Sequence, residues 1–375
     1  MMDLSKAFDC LPHGLIVKKL ERYRFDQKSC RLLRSYLENR TQKVKIGEVR
    51  SSSGTLTKGV PQGSILGPKI FNSFINNLLI QLSRYCVPGN YADDNTICCI
   101  NKNRHVMLNN LKTACNVART WFVNNQMQAN PEKFHFLVLS PFQKEANFQY
   151  VLDLPGTQLQ SVTQAPLLGI LIDNQLKFNS HVSNIIKKCN FQLQTLKRLS
   201  KFMGAKAKLT IFRSFIASNF SYCCHIWYFC SPTLKTRLEK VQLRGLRYVF
   251  NDYDSSYDSL LVKAEMDTIE LLLQKTMLVE IYKCLNGIGA TYLANLFGYG
   301  RASTRSKGKN LQVPRVDSTL YGLHSIRYHG TQLWAALPLS CKTASTLDSF
   351  KSGLKSFSGI KCKCRACKFI NNTSI

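Results

Sequence analysis

Acidic side chains are scarce in this sequence. Its 375 residues carry 22 Asp and Glu against 51 Lys and Arg, a formal net charge of +29. The scarcity is uneven: residues 177–250 hold 14 basic side chains and the single acid Glu239, and residues 301–375 hold 13 against Asp317 and Asp348. A merely solvated surface mixes both signs. A nearly single-signed stretch therefore points to a polyanionic partner, with nucleic acid ahead of an anionic membrane surface. Long apolar runs are missing too. The best of them, over residues 211–230, is broken by Arg213, Asn219 and His225, which a bilayer-spanning helix rarely carries. No membrane partner is expected, and with no secretory leader the 15 cysteines read as reduced thiols of a nuclear or cytoplasmic protein. Paired metal-binding blocks are also lacking. Cys362, Cys364 and Cys367 have a C-x-C-x₂-C spacing, but a fourth ligand such as His324 or His329 would have to come from far away, so zinc is not expected there.

What is present is enough apolar sequence, 45% of residues, to bury one large core or two to three ordinary ones. Apolar residues recur at helical spacing over residues 14–23 and 27–37, then alternate over 42–49 as in a half-buried strand that ends in a turn at 51–54. A Gly/Pro loop at 59–67 feeds an apolar helix through Ile70, Phe71, Phe74, Ile75 and Leu78. A turn at Pro88 and Gly89 leads into a hairpin around Tyr91, Asp93 and Asp94, with β-rich residues at 96–100. A helix over 107–122 and a short strand over 134–139 complete an α+β pattern. From about residue 173 the character becomes helical and basic. Val182, Ile185, Ile186, Cys189, Leu193, Leu196 and Leu199 form one apolar stripe, and Lys187, Lys188, Lys197, Arg198 and Lys201 lie off it. Residues 301–375 support only short elements.

Three clusters carry chemistry. The opening run Asp3-Leu4-Ser5-Lys6-Ala7-Phe8-Asp9 presents a carboxylate which, at the end of a strand, would face the hairpin carboxylates Asp93 and Asp94. Carboxylates gathered in this way repel one another unless cations neutralise them, and hard oxygen donors select Mg²⁺ or Mn²⁺. Two such ions suit phosphoryl transfer, in which a 3′-hydroxyl attacks an α-phosphate. The run from Gly59 to Pro68 adds glycines that let backbone approach a ligand and N–H groups that open a helix. Taken singly, each cluster is also compatible with an ordinary turn or cap.

Together, DLSKAFD, GVPQGSILGP and YADD resemble motifs A, B and C of reverse transcriptases, in the same order and at comparable spacing. Trp121, Asn125, Asn130 and Lys133 resemble motif D. The run Leu168-Gly169-Ile170-Leu171-Ile172-Asp173 resembles the following segment in non-LTR (LINE, jockey-like) retrotransposons, and softer matches include residues 222–227 and 334–338. The resemblance implies a right-hand polymerase: a palm with an antiparallel sheet and helices at 1–172, a helical thumb at 173–300 and a basic C-terminal region at 301–375. It implies an RNA-directed DNA polymerase that takes an RNA template, a DNA primer and dNTPs. Asp3, Asp93 and Asp94 would hold two Mg²⁺ or Mn²⁺ ions, with the Leu4 carbonyl a further ligand. Phe8 would sit under the sugar as a steric gate, Gln62 and Gly63 would contact nucleotide and template, and Lys133 would protonate pyrophosphate. Lys187, Lys188, Lys197, Arg198 and Lys201 would lie on the heteroduplex backbone. The sequence departs from the family at its front, where Asp3 stands without a preceding strand and without fingers. The expectation is a truncated core, and the alternative is an impaired remnant that only binds nucleic acid.

Overall fold

A computed structural model describes residues 1–2, 4–300 and 309–360, and it divides into two compact units, Met1–Leu167 and Leu168–Ile375. The first begins with strand β1 (Leu4–Ser5), a 3₁₀ turn Ala7–Asp9, and helices α1 (His13–Arg22) and α2 (Gln27–Leu37). Helix α1 buries Ile16, Val17 and Leu20 at helical spacing. Helix α2 starts where the Asp26 carboxylate accepts the Lys28 and Ser29 N–H groups at 2.8 and 3.0 Å. Strands β2 (Thr41–Gln42), β3 (Lys45–Ile46), β4 (Val49–Arg50) and β5 (Gly54–Thr55) form a ribbon in which β2 pairs β5 and β3 pairs β4. This corrects the expectation of one half-buried strand at 42–49. The alternation is real, but Val44, Ile46 and Val49 are 57%, 78% and 75% exposed, because neither face of the ribbon is covered.

Helix α3 (Leu66–Leu82) buries Ile70, Phe71, Phe74, Ile75, Leu78 and Leu82 against α1 and against α4 (Arg104–Asn124). Between α3 and α4 lies the hairpin of β6 (Val87–Tyr91) and β7 (Asp94–Cys98), in register from Val87↔Cys98 to Tyr91↔Asp94. The reversal is at Ala92 and Asp93, so the turn expected at Pro88 and Gly89 is a stretch of strand. A two-residue turn makes Tyr91↔Asp94 a hydrogen-bonded pair, and alternation then makes Pro88↔Ile97 a non-hydrogen-bonded one, where the missing proline N–H costs nothing. After β8 (Gln128–Ala129) comes β9 (Phe136–Leu137), shorter than the strand expected at 134–139 because Pro131–Lys133 forms a 3₁₀ turn. A short helix α5 (Gln143–Ala146) precedes β10 (Val151–Leu154), β11 (Thr157–Val162) and β12 (Gln164–Leu167). β11 pairs antiparallel with β10 and parallel with β9. The architecture is mixed α/β, with several small sheets instead of one continuous antiparallel sheet.

The second unit is mostly helical and has its own core. After β13 (Ile170–Asp173), the Asp173 carboxylate accepts the Gln175, Lys177 and Phe178 N–H groups at 3.0, 3.1 and 2.6 Å and leads the chain into α6 (Asn179–Leu199). Helix α7 (Ala205–Ile211) continues through a π-helical stretch, Phe212–Ala217. Phe212, Trp227, Leu238, Val241, Leu246, Met277, Leu278 and Ile281 share one core with Leu333, Trp334 and Phe350. The expected division at 300/301 therefore separates no cores, and this unit starts at Leu168, five residues before the expected boundary.

Candidate active site at the Ala92–Asp93 turn

The hairpin brings Asp93 into the turn and makes Asp94 the first residue of β7. Ala92 turns the chain at φ 52°, a left-handed conformation that a residue with a Cβ adopts at a cost. Asn95 holds the turn from below. It is 3% exposed, and its side-chain amide donates to the Asp93 carbonyl at 2.8 Å. Its backbone N–H donates to the Met2 carbonyl at 3.2 Å, and its carbonyl accepts the Met2 N–H at 2.7 Å. Met1 and His135 likewise exchange two bonds, at 2.9 and 3.1 Å, and Leu4 pairs with Ala129. The residues on either side of position 3 thus take partners from β7 and from the 128–135 stretch, although β1 is only two residues long. Asp3 itself lies outside the described residues. Asp94 and Lys133, 39 positions apart in sequence, line one small cavity of about 190 Å³ together with Met1, Met2 and His135. Lys133 reaches it from the 3₁₀ turn Pro131–Lys133.

Phe8, Gln62 and Gly63 do not line that cavity and belong to a second cluster. The loop at 59–67 is bound to the 3₁₀ turn by Val60 N–H to Phe8 O at 2.9 Å and to the residues after it by Gly59 N–H to Leu11 O at 2.8 Å. Phe8 is half-buried, its ring stacked on Phe71 at 4.4 Å. Leu4 is buried. The Gln62 amide donates to the Asp9 carboxylate at 2.9 Å, and Gly63 turns at φ +79° into open space. Ser64 accepts from Tyr36 at 2.7 Å and from the Gly67 N–H at 3.0 Å, which fixes the entry to α3. Sequence reasoning missed Asp9, Tyr36, Ser64 and Asn95 as positioning residues. Asp9 stands inside the opening motif and could have been paired with an amide, but nothing local marks the other three.

On α6, Lys187, Lys188, Lys197 and Arg198 are exposed, opposite the stripe of Val182, Ile186, Cys189 and Leu193, and Lys201 is exposed just beyond the helix. Leu199, expected on the stripe, is exposed instead, at the last residue of the helix where the stripe has run past the core. Lys197 lies over the Tyr248 ring at 5.5 Å. Cys362, Cys364 and Cys367 lie outside the described residues. His324 stacks on Phe229 at 5.7 Å, and His329 lies tilted against Tyr228 at 5.0 Å. Among the described residues no three His, Cys, Asp or Glu side chains gather to hold a metal ion, and no helix is long and apolar enough to cross a membrane.

Comparison with known proteins agrees with these motifs. Residues 1–172 match the family model described as reverse transcriptase (RNA-dependent DNA polymerase). The chain is 27% identical over 263 residues to a probable RNA-directed DNA polymerase from transposon BS of Drosophila melanogaster. It is 23% identical over 257 residues to the RNA-directed DNA polymerase from the mobile element jockey of the same organism. Each match covers 66% of this chain and 28% of the relative, so the chain spans well under a third of the length of these relatives. Residues 1–172 therefore match the reverse transcriptase family, and the relatives that the chain resembles are RNA-directed DNA polymerases of transposable elements.

Proposed function

We propose that this chain carries the polymerase chemistry of a non-LTR retrotransposon, extending a DNA primer on an RNA template. The observation that carries the reading is the hairpin: two adjoining carboxylates at a left-handed turn, backed by a strand that pairs with Met2, with Asp94 and Lys133 on one cavity. Adjoining carboxylates are costly unless cations neutralise them, and an all-oxygen donor set suits Mg²⁺ or Mn²⁺. In this reading Asp3, Asp93 and Asp94 hold two such ions, and the Leu4 carbonyl adds an oxygen. Bound there, the ions would lower the barrier for a primer hydroxyl attacking an α-phosphate. Phe8, braced by Phe71, supports the sugar and crowds a 2′-hydroxyl. Gln62 and Gly63 position nucleotide and template, with Gln62 oriented by Asp9. Lys133 gives a proton to the departing pyrophosphate. The first unit corresponds to a palm and the helical second unit to a thumb, with Lys187, Lys188, Lys197, Arg198 and Lys201 on the phosphates of an A-form heteroduplex.

Primer extension on an RNA template with Mg²⁺ or Mn²⁺ tests this. Asp93→Asn is expected to lower the rate by about 10³ or more while leaving heteroduplex affinity measured in EDTA unchanged. A wild-type protein that binds heteroduplex tightly yet extends no primer under any metal would replace the polymerase reading with nucleic-acid binding alone.

A further inference from the structure

A cavity of about 870 Å³ opens among α1, α3 and α4. It is not the site of the carboxylates. Cys115 packs in one cluster with Ile97 of the hairpin, whereas Asn116, Thr120 and Asn124, which line the cavity, lie roughly 100–180° around α4 from it. The volume falls in the range of sites that enclose a small organic ligand, about 300–1,000 Å³.

Its chemistry is one-sided. Lys18, Lys19 and Arg22 line it and no carboxylate does. Lys18 and Arg22 are exposed and hold no hydrogen bond or ion pair among the described residues. Lys19 is held in place: its ammonium donates to the Phe74 carbonyl at 2.8 Å and to Asn77 Oδ1 at 3.1 Å, with the Phe74 and Trp121 rings at 3.8 and 4.4 Å. An ammonium has three donors, so one remains. Trp121 forms part of the wall, is 4% exposed, and keeps an indole N–H with no acceptor among the described residues; the Asn116 Oδ1 in the same wall lacks a donor. Buried polar groups are seldom left unpaired, and here an unpaired donor and an unpaired acceptor belong to residues that line the same cavity as three cations. Amides at Gln81, Asn116 and Asn124 offer the paired donor and acceptor that match a base edge, and Asn77, whose Oδ1 is taken by Lys19, adds its NH₂. A bare phosphate would leave most of this volume and all of these amides unused.

We propose that this cleft binds a phosphorylated nucleotide without a divalent metal, with Lys18, Lys19 and Arg22 on the phosphate and the amide wall on the base. The nucleotide is either free or one residue of a single-stranded RNA. The site is separate from the polymerase chemistry and does not depend on that reading.

Isothermal titration of the full chain in EDTA tests it, with 5′-AMP and a short single-stranded RNA as separate probes. Saturable binding of either probe that weakens about tenfold or more in Lys18→Ala/Arg22→Ala supports the site, and the tighter probe identifies the source. Circular dichroism and an unchanged urea midpoint show that the exposed substitutions leave the fold intact. The proposal is overturned if neither probe binds, or if binding is indifferent to the double substitution. It is also overturned if inorganic phosphate or a poly-glutamate peptide competes as well as the nucleotide, or if Asp93→Asn removes binding.

Discussion

Gly59 adopts φ +88°, and a Cβ built on it would stand 2.9 Å from the Asp9 Cα. Both the conformation and the close approach demand glycine, since they bring the 59–67 loop onto the 3₁₀ turn that carries Phe8 and Asp9. Gly59→Ala is expected to cost roughly 2 kcal/mol or more, read as a lower urea midpoint with an unchanged slope. Lys19 is a second residue whose behaviour follows from its surroundings. Burial, and then the neighbouring Arg22, lower its pKa from 10.5 to about 8. Between those values the unfolded chain binds the proton that the folded one has released, so this group's contribution to stability rises with pH from about 8 to 10.5. An NMR titration of the Lys19 side chain should show its midpoint near 8; a midpoint above 10 would contradict the packing described for it. At this scale the sequence was partly readable. Asp93, Asp94 and Lys133 stand out by motif, whereas the cavity that Asp94 and Lys133 share is visible only in the fold. Tyr36 with Ser64 and Gln62 with Asp9 meet across 28 and 53 positions, and no local pattern encodes a contact of that range.

Elements were most legible where one periodicity ran uninterrupted. The stripe of Val182, Ile186, Cys189 and Leu193 faces the core of the second unit, as its spacing requires. Helix α3 follows its apolar residues in the same way. Reading failed where a local signal was ambiguous: Pro88-Gly89 looks like a turn until register shows that Pro88 occupies a position that needs no N–H. It also failed where burial depends on neighbours that the sequence does not name, as in the exposed ribbon β2–β5. Helix packing supplies a sharp test. Gly245, on the helix Pro232–Phe250, faces Phe212, and an added Cβ would lie 2.1 Å from that ring's Cε2. Phe212 is fully buried. Gly245→Ala is therefore expected to cost about 3 kcal/mol, at the upper end for overpacking, measured by thermal or denaturant unfolding. A cost under 0.5 kcal/mol would mean that the π-helical stretch around Phe212 yields more easily than its burial implies.

For the molecule as a whole, charge is the dominant fact. The 14 basic side chains of residues 177–250 face a single acid, and the five proposed phosphate contacts sit on or just beyond one helix. Heteroduplex affinity should fall with salt at a logarithmic slope of about −4, and Lys187→Ala/Arg198→Ala should reduce that slope by about 2. Filter binding over a salt series reads both values, and an unchanged slope would move the interface off α6. The overall charge of +29 also governs how the molecules meet one another. Val44, Ile46 and Val49 are displayed on a narrow ribbon, the sort of strand surface that invites pairing with a second chain, and Lys43, Lys45 and Arg50 alternate with them. In dilute salt, mutual repulsion keeps such ribbons apart. Near 1 M salt, where repulsion reaches only about 3 Å, the same ribbon becomes a point of colloidal attraction, so the salt that would release the proposed heteroduplex also favours aggregation.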